Sequence, residues 1–136
     1  MRIRKIIHVH TGEAAPEEVL SRLKQGDTLP GGVCVTDREI RFTRHYRPVY
    51  LPYDEIVWAY RQVAEMQLRM GCCSGVMPEY RLVLRDAAGR EAIAVFQQES
   101  GAVYALNAIA QNNPAAAIGF TAENKARFLP EAEKQA

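Results

Sequence analysis

Between Val33 and Gln97 the chain repeats one pattern: short runs rich in Val, Ile, Phe and Tyr, separated by Gly, Pro and Asp. Such runs at close spacing predict an antiparallel meander. Branched and aromatic side chains fit a pleated, half-buried surface, and the residues between them suit reversals. Val33-Cys34-Val35-Thr36 is the first run and Asp37-Arg38 the turn after it. Glu39 to Thr43 alternates, with Ile40 and Phe42 on one face and Arg41 and Thr43 on the other. Pro48 opens the next strand, Pro48-Val49-Tyr50-Leu51, where a missing N–H is harmless. Tyr80 to Leu84 and Glu91 to Gln97 flank Asp86-Ala87-Ala88-Gly89, which reads as a hairpin turn.

Residues 56–70 fit two periods. At period 2, Ile56, Trp58, Tyr60, Ala64, Met66, Leu68 and Met70 share a face interrupted only by Gln62; at period 3.6, Ile56, Ala59, Tyr60, Val63, Met66 and Met70 form a stripe. The aromatic and β-branched first half favours a strand, so the segment is expected to be one long strand. Gly71-Cys72-Cys73-Ser74-Gly75 then reads as a loop, extended by Pro78.

The flanks carry helical signals. Residues 2–9 are expected to be a strand. Ala15-Pro16-Glu17-Glu18 opens a short helix with Val19, Leu20 and Leu23 on its apolar face, stopped by Gly26. Ser100 to Asn112 predicts a helix with Val103, Leu106, Ile109 and Ala110 toward the core, ended by Asn113-Pro114. Thr121 suits the cap of a last short helix stopping near Pro130.

With 136 residues the chain predicts a single α+β domain over 1–136 that needs no disulfide, metal or other cofactor to fold. A formal net charge of +1 argues against nucleic acid as a partner. No apolar run approaches the roughly 20 residues of a membrane span, and the N-terminal run is too short for a signal peptide. The three cysteines, Cys34, Cys72 and Cys73, then read as reduced thiols of a cytoplasmic protein.

A meander followed by one C-terminal helix resembles the pleckstrin-homology-like fold. The stretches Val35-Thr36-Asp37-Arg38-Glu39-Ile40-Arg41-Phe42 and Val49-Tyr50-Leu51-Pro52-Tyr53-Asp54-Glu55-Ile56 look like its bacterial branch, over residues 31–112. The resemblance implies an antiparallel barrel or sandwich of about seven strands, capped by the 100–112 helix, with an N-terminal helix and a short helical extension. That superfamily hosts lipid, peptide and protein binding, so the resemblance implies a binding role without saying which.

Four constellations carry chemistry. Arg38, Arg41, Arg44, His45 and Arg47 are interleaved with Phe42, Tyr46 and Tyr50, with Arg44-His45-Tyr46-Arg47 at a hairpin tip. Arginine forks match phosphate geometry, so Arg41, Arg44 and Arg47 are the candidate site for an anionic small molecule or lipid headgroup. Against this stands the ordinary use of charge to protect exposed strands. Cys72-Cys73 suggests a redox pair or soft-metal site, although CxxC spacing is absent and a buried structural thiol is the commoner use. Asp37 and Glu39 on a turn and Asp54-Glu55 beside Tyr53 offer carboxylates, but turn acids are usually caps and no catalytic motif accompanies them, so no enzyme is expected. Trp58 and Tyr60 suit either a core or a recognition surface. A 56–70 strand must also project past its neighbours and carry Met66 and Leu68 with it. Together these readings give a non-enzymatic binding or assembly module, self-associating or contacting a protein through Trp58, Tyr60, Met66 and Leu68. The alternatives are the anion site and the thiol site.

Overall fold

The computed structural model describes residues 5–70 and 73–129, without the side chains of residues 66–70, 73, 74 and 76. The order of elements is β1 (Ile7–His8), α1 (Glu17–Gln25), β2 (Asp27–Leu29), β3 (Val33–Val35), β4 (Glu39–Arg44), β5 (Arg47–Pro52), β6 (Ile56–Met70), β7 (Cys73–Asp86), β8 (Glu91–Phe96), α2 (Glu99–Asn112), β9 (Ala117–Ile118) and α3 (Ala122–Phe128). The class is α+β. The strands form two mixed sheets, β1-β5-β4-β3-β2 and β8-β7-β6-β9, in which only the β1–β5 and β6–β9 pairs are parallel. Among the described residues no helix is long and apolar enough to cross a membrane.

One core joins the sheets. The first contributes Val33, Val35, Ile40, Phe42, Val49 and Leu51; the second contributes Ile56, Ala59, Leu82, Leu84, Ala92, Ala94 and Phe96. The alternation of β4 and β8 accounts for this, because every second residue turns inward. Helix α2 packs on the same core through Ala102, Ala105 and Ile109, with Leu106 half-buried beside them. The expected face is thus rotated: Val103 and Ala110 are only half-buried, and small residues make the contact. Close approach is the reason, since a Cβ on Gly101 would lie 3.1 Å from the Phe96 ring.

Helix α1 buries Val19 and Leu23 as its pattern predicts, on the outer face of the first sheet beside Cys34 and Tyr50. Gly26 ends it at φ −77°, a conformation open to any residue. Glycine is needed there for space: a Cβ would stand 2.8 Å from the Val35 carbonyl oxygen.

The long 56–70 strand is present, but its first residues do not share one face. A bulge between Ile56 and Trp58 pairs Ile56 with Asp86 and Trp58 with Arg85, leaving Val57 as the extra residue. Alternation resets there. Ile56 and Ala59 enter the shared core, while Trp58 and Tyr60 turn to the opposite face with Val83.

The loop expected up to Pro78 is a strand instead. Beyond Gly71 and Cys72, which lie outside the described residues, β7 resumes at Cys73 and pairs with β6 through Gly75 and Pro78. Pro78 is tolerated because β8 reaches only Tyr80, so β7 has an open edge there. Within the described residues the expected N-terminal strand is confined to Ile7 and His8. The last helix forms as expected, with the Thr121 hydroxyl accepting from the Asn124 N–H at 3.1 Å.

Candidate functional site

The candidate partner residues divide between a covered face and a projecting ribbon. Trp58 is fully buried and Tyr60 nearly so. Strand β9 lies parallel to Trp58–Ala59, and the Trp58 Nε1–H donates to the Gly119 carbonyl at 2.8 Å. The Phe120 and Phe128 rings lie nearly parallel to the Trp58 ring, at 5.8 and 5.3 Å between centroids, and Lys125 and Arg127 stand over those two phenylalanines. Trp58 and Tyr60 are therefore withdrawn from any partner by the chain's own C-terminal segment. The reason is the bulge, which turns them toward β9 and α3.

The ribbon is the part of the β6–β7 pair that outruns its neighbours. The last β7 residue with a β8 partner is Tyr80, opposite Phe96. The β6–β7 pairing continues from Ala64↔Glu79 to Met70↔Cys73, roughly 20 Å further. At its root Val63 is 61% exposed and Met77 49%. Met66 stands opposite Met77 in the register and Leu68 opposite Gly75. The side chains of Met66, Leu68 and Cys73, and the whole of Cys72, fall outside the described residues, so the thiol reading lies outside them too.

The basic cluster separates into three places. Arg44 and Arg47 are cross-strand partners at the tip of the β4–β5 hairpin, both exposed. Between them His45 and Tyr46 have φ of 51° and 64°. Two consecutive left-handed residues are the geometry of a primed two-residue turn, which glycine and asparagine adopt at less cost. Arg41 lies three positions along β4, opposite Tyr50. Arg38 is at the far end of that strand, in a separate polar cleft.

Arg41 borders a groove of about 580 Å³. Its apolar wall is Ile6, Ala14, Ala15, Leu20 and Leu23; its charged residues are Lys5, Lys24 and Arg41, with no carboxylate among the described residues. None of these three cations has a salt-bridge partner among the described residues. A second hollow, containing His45, Tyr46 and Arg47, shares Lys5 with it. Leu20 is expected on the apolar face of α1, but nothing in the sequence points to Lys24 one turn on. Arg41 stands out in the sequence with the hairpin arginines and Lys5 does not; the two arrive from other elements.

The remaining polar groups mostly satisfy one another. Glu39, expected on a turn where acids are usually caps or solvated, is buried at 1% exposure. The Arg22 guanidinium donates to it at 2.7 and 2.9 Å, and Thr36 also hydrogen-bonds its carboxylate. The hydrogen bond to Glu39 raises the Arg22 pKa. Burial pushes up the pKa of Tyr53, whose hydroxyl donates to the Thr36 carbonyl at 2.9 Å. On the β1 edge of the first sheet His8 Nδ1 accepts from the N–H groups of His10 and Thr11, so its ring proton sits on Nε2 and is donated to Glu55 at 2.9 Å. His10 Nε2 is 3.9 Å from Asp86 and is the one buried side-chain nitrogen or oxygen without a hydrogen-bond partner among the described residues. Burial holds the His10 pKa below the ordinary histidine value, the Arg90, His8 and Arg44 charges lower it further, and Asp86 opposes them. The Asp86 carboxylate is itself buried and accepts from Ala88 N–H and from Arg90 N–H and Nε. These contacts tie residues 8–11 to the turns before β6 and after β7.

The family model described as a domain of unknown function, DUF6709, matches residues 1–128, so the chain belongs to that family. No curated protein and no solved structure matches it.

Proposed function

We propose that this member of the DUF6709 family is a non-enzymatic assembly module with a pleckstrin-homology-like core, joining a second copy of itself through the β6–β7 ribbon. The carrying observation is the length of β6 and β7, 15 and 14 residues, against a β8 of six. An isolated two-stranded ribbon is marginal in water, and one that exposes Val63 and Met77 gains most by being covered. The core reading is supported by two sheets sharing one interior with α2 packed against it. A protein partner of another kind would use the same surface.

Light scattering tests it. The wild-type chain is expected to run as an oligomer, and a Met66→Lys, Met77→Lys double variant as a folded monomer. A wild-type chain that stays monomeric at high concentration removes the self-association reading.

A second reading rests on the hairpin tip. Arg44 faces Arg47, a like-charge pair that costs stability, across two left-handed residues. Such local cost is found where a turn serves a ligand. The tip would take an anionic headgroup. Titration with a soluble inositol phosphate that leaves the amide signals of residues 41–47 unmoved would sink this reading.

A further inference from the structure

The geometry points to the α1 groove as a binding site for a single-chain anionic amphiphile. Its alkyl chain would lie on Ile6, Leu20 and Leu23, with its carboxylate held among Lys5, Lys24 and Arg41. The inference is independent of the ribbon reading.

Three observations carry it. First, the groove is apolar within and cationic around, and among the described residues no acid lines it. Three cations that lack a salt-bridge partner among the described residues, beside an apolar wall, complement a molecule with an alkyl body and a negative head. Second, the cations come from three elements: Lys5 before β1, Lys24 in the last turn of α1 and Arg41 on β4. They meet around one hollow of about 580 Å³, within the roughly 300–1,000 Å³ range of small-molecule sites. Third, Ile6 and Ile7 are already paired with the segment that leads into α1. The Ala15 N–H donates to the Ile6 carbonyl at 2.9 Å, and Ile7 bridges Ala14. An extended peptide could not pair with these groups, and its own amides would go unsatisfied against the apolar wall. An alkyl chain carries no such groups. Apolar burial then supplies affinity, and the cations select the head.

Dodecanoate, kept below its aggregation concentration, is the probe, followed by titration calorimetry and backbone amide shifts. It is expected to move the signals of Ala15, Leu20, Leu23 and Arg41 while those of the ribbon stay put. Lys24 is exposed, so Lys24→Glu should keep the fold and weaken dodecanoate about tenfold, the scale of one charge-assisted hydrogen bond. Added salt should weaken it as well. Leu20→Glu should abolish binding; if that variant fails to fold, Lys24→Glu decides. Dodecyltrimethylammonium, with the same chain and the opposite charge, should bind far more weakly. Equal binding of the two amphiphiles overturns the proposal. So does a set of shifts that inorganic phosphate alone reproduces, or an acidic amphipathic peptide that displaces dodecanoate and binds more tightly.

Discussion

The two sheets cover their outer faces by different means. The second sheet turns Trp58, Tyr60 and Val83 outward and seals them under α3 and the segment that leads into it, with Phe120 and Phe128 stacked on the indole. The first turns Cys34 and Tyr50 outward and covers them with the nine residues of α1, only Val19 and Leu23 of which are buried. Aromatic rings cover a large area each. A short helix with two buried residues leaves a gap beside it, and that gap is the cationic groove. The difference teaches where a surface remains available to a ligand. Aromatic residues that looked suited to a partner are spent on the chain's own C-terminal segment, whereas an ordinary amphipathic helix leaves room.

Breaking each cover in turn measures the contrast. The largest effect is expected from Trp58→Ala, about 3–5 kcal/mol of stability read from the urea midpoint, because a fully buried indole leaves a cavity. Leu23→Ala should cost less, about 2–3 kcal/mol, since its site is open to the groove and can relax. A loss comparable to that of Trp58→Ala would show that the two covers seal equally well.

Acid should loosen the contacts that hold residues 8–11, on the α1 side of the comparison. The His10 pKa lies below 6.5 in the folded protein, so the unfolded chain takes up that proton first. Stability is then complete above about 6.5 and falls as pH drops below it, until folded His10 is itself protonated. Burial alone would raise the Asp86 pKa, but the Arg90 hydrogen bonds and charge, with His10, bring it below 3.8; its contribution is held above that value and lost further down. Melting curves on either side of the histidine range should show the first loss, and His10→Gln should flatten it. The smallest effect belongs to the C-terminal cover. Thr121→Ala removes the cap of α3 and should cost about 1 kcal/mol, seen as faster amide exchange across residues 122–128. Unchanged exchange would mean that the aromatic stack alone holds that segment down.

Much of the fold was legible because it rests on local rules. The alternation of Glu39 to Thr43, the hairpin at Asp86–Gly89, the stops at Gly26 and Asn113 and the cap at Thr121 each depend on neighbours within a few residues. The faces of α2 and β6 were not legible. Val103 and Ala110 have the right hydropathy, but the helix packs where alanine lets it come close. Trp58 follows Ile56 at period 2, but one bulged residue breaks that alternation. Among the candidate site residues, the sequence brought Arg44 and Arg47 together correctly, as partners across one tight turn. It grouped Arg41 and Arg38 with them, but a strand spends about 3.3 Å on each residue, so neighbours in sequence separate along it.

By itself the sequence determined the class, the strand and helix order over most of the chain, and the projection of the β6 strand past its neighbours. These follow from periodicity, turn chemistry and length. Only the tertiary structure decided what each face meets: the aromatic cover on Trp58, the buried Glu39 beside Arg22, the His10–Asp86 approach, and the meeting of Lys5, Lys24 and Arg41 around one groove. Each joins residues from different elements, and no spacing along the chain encodes such a meeting. It comes from how the sheets and helices exclude water from their apolar faces, and the charges are placed by that packing.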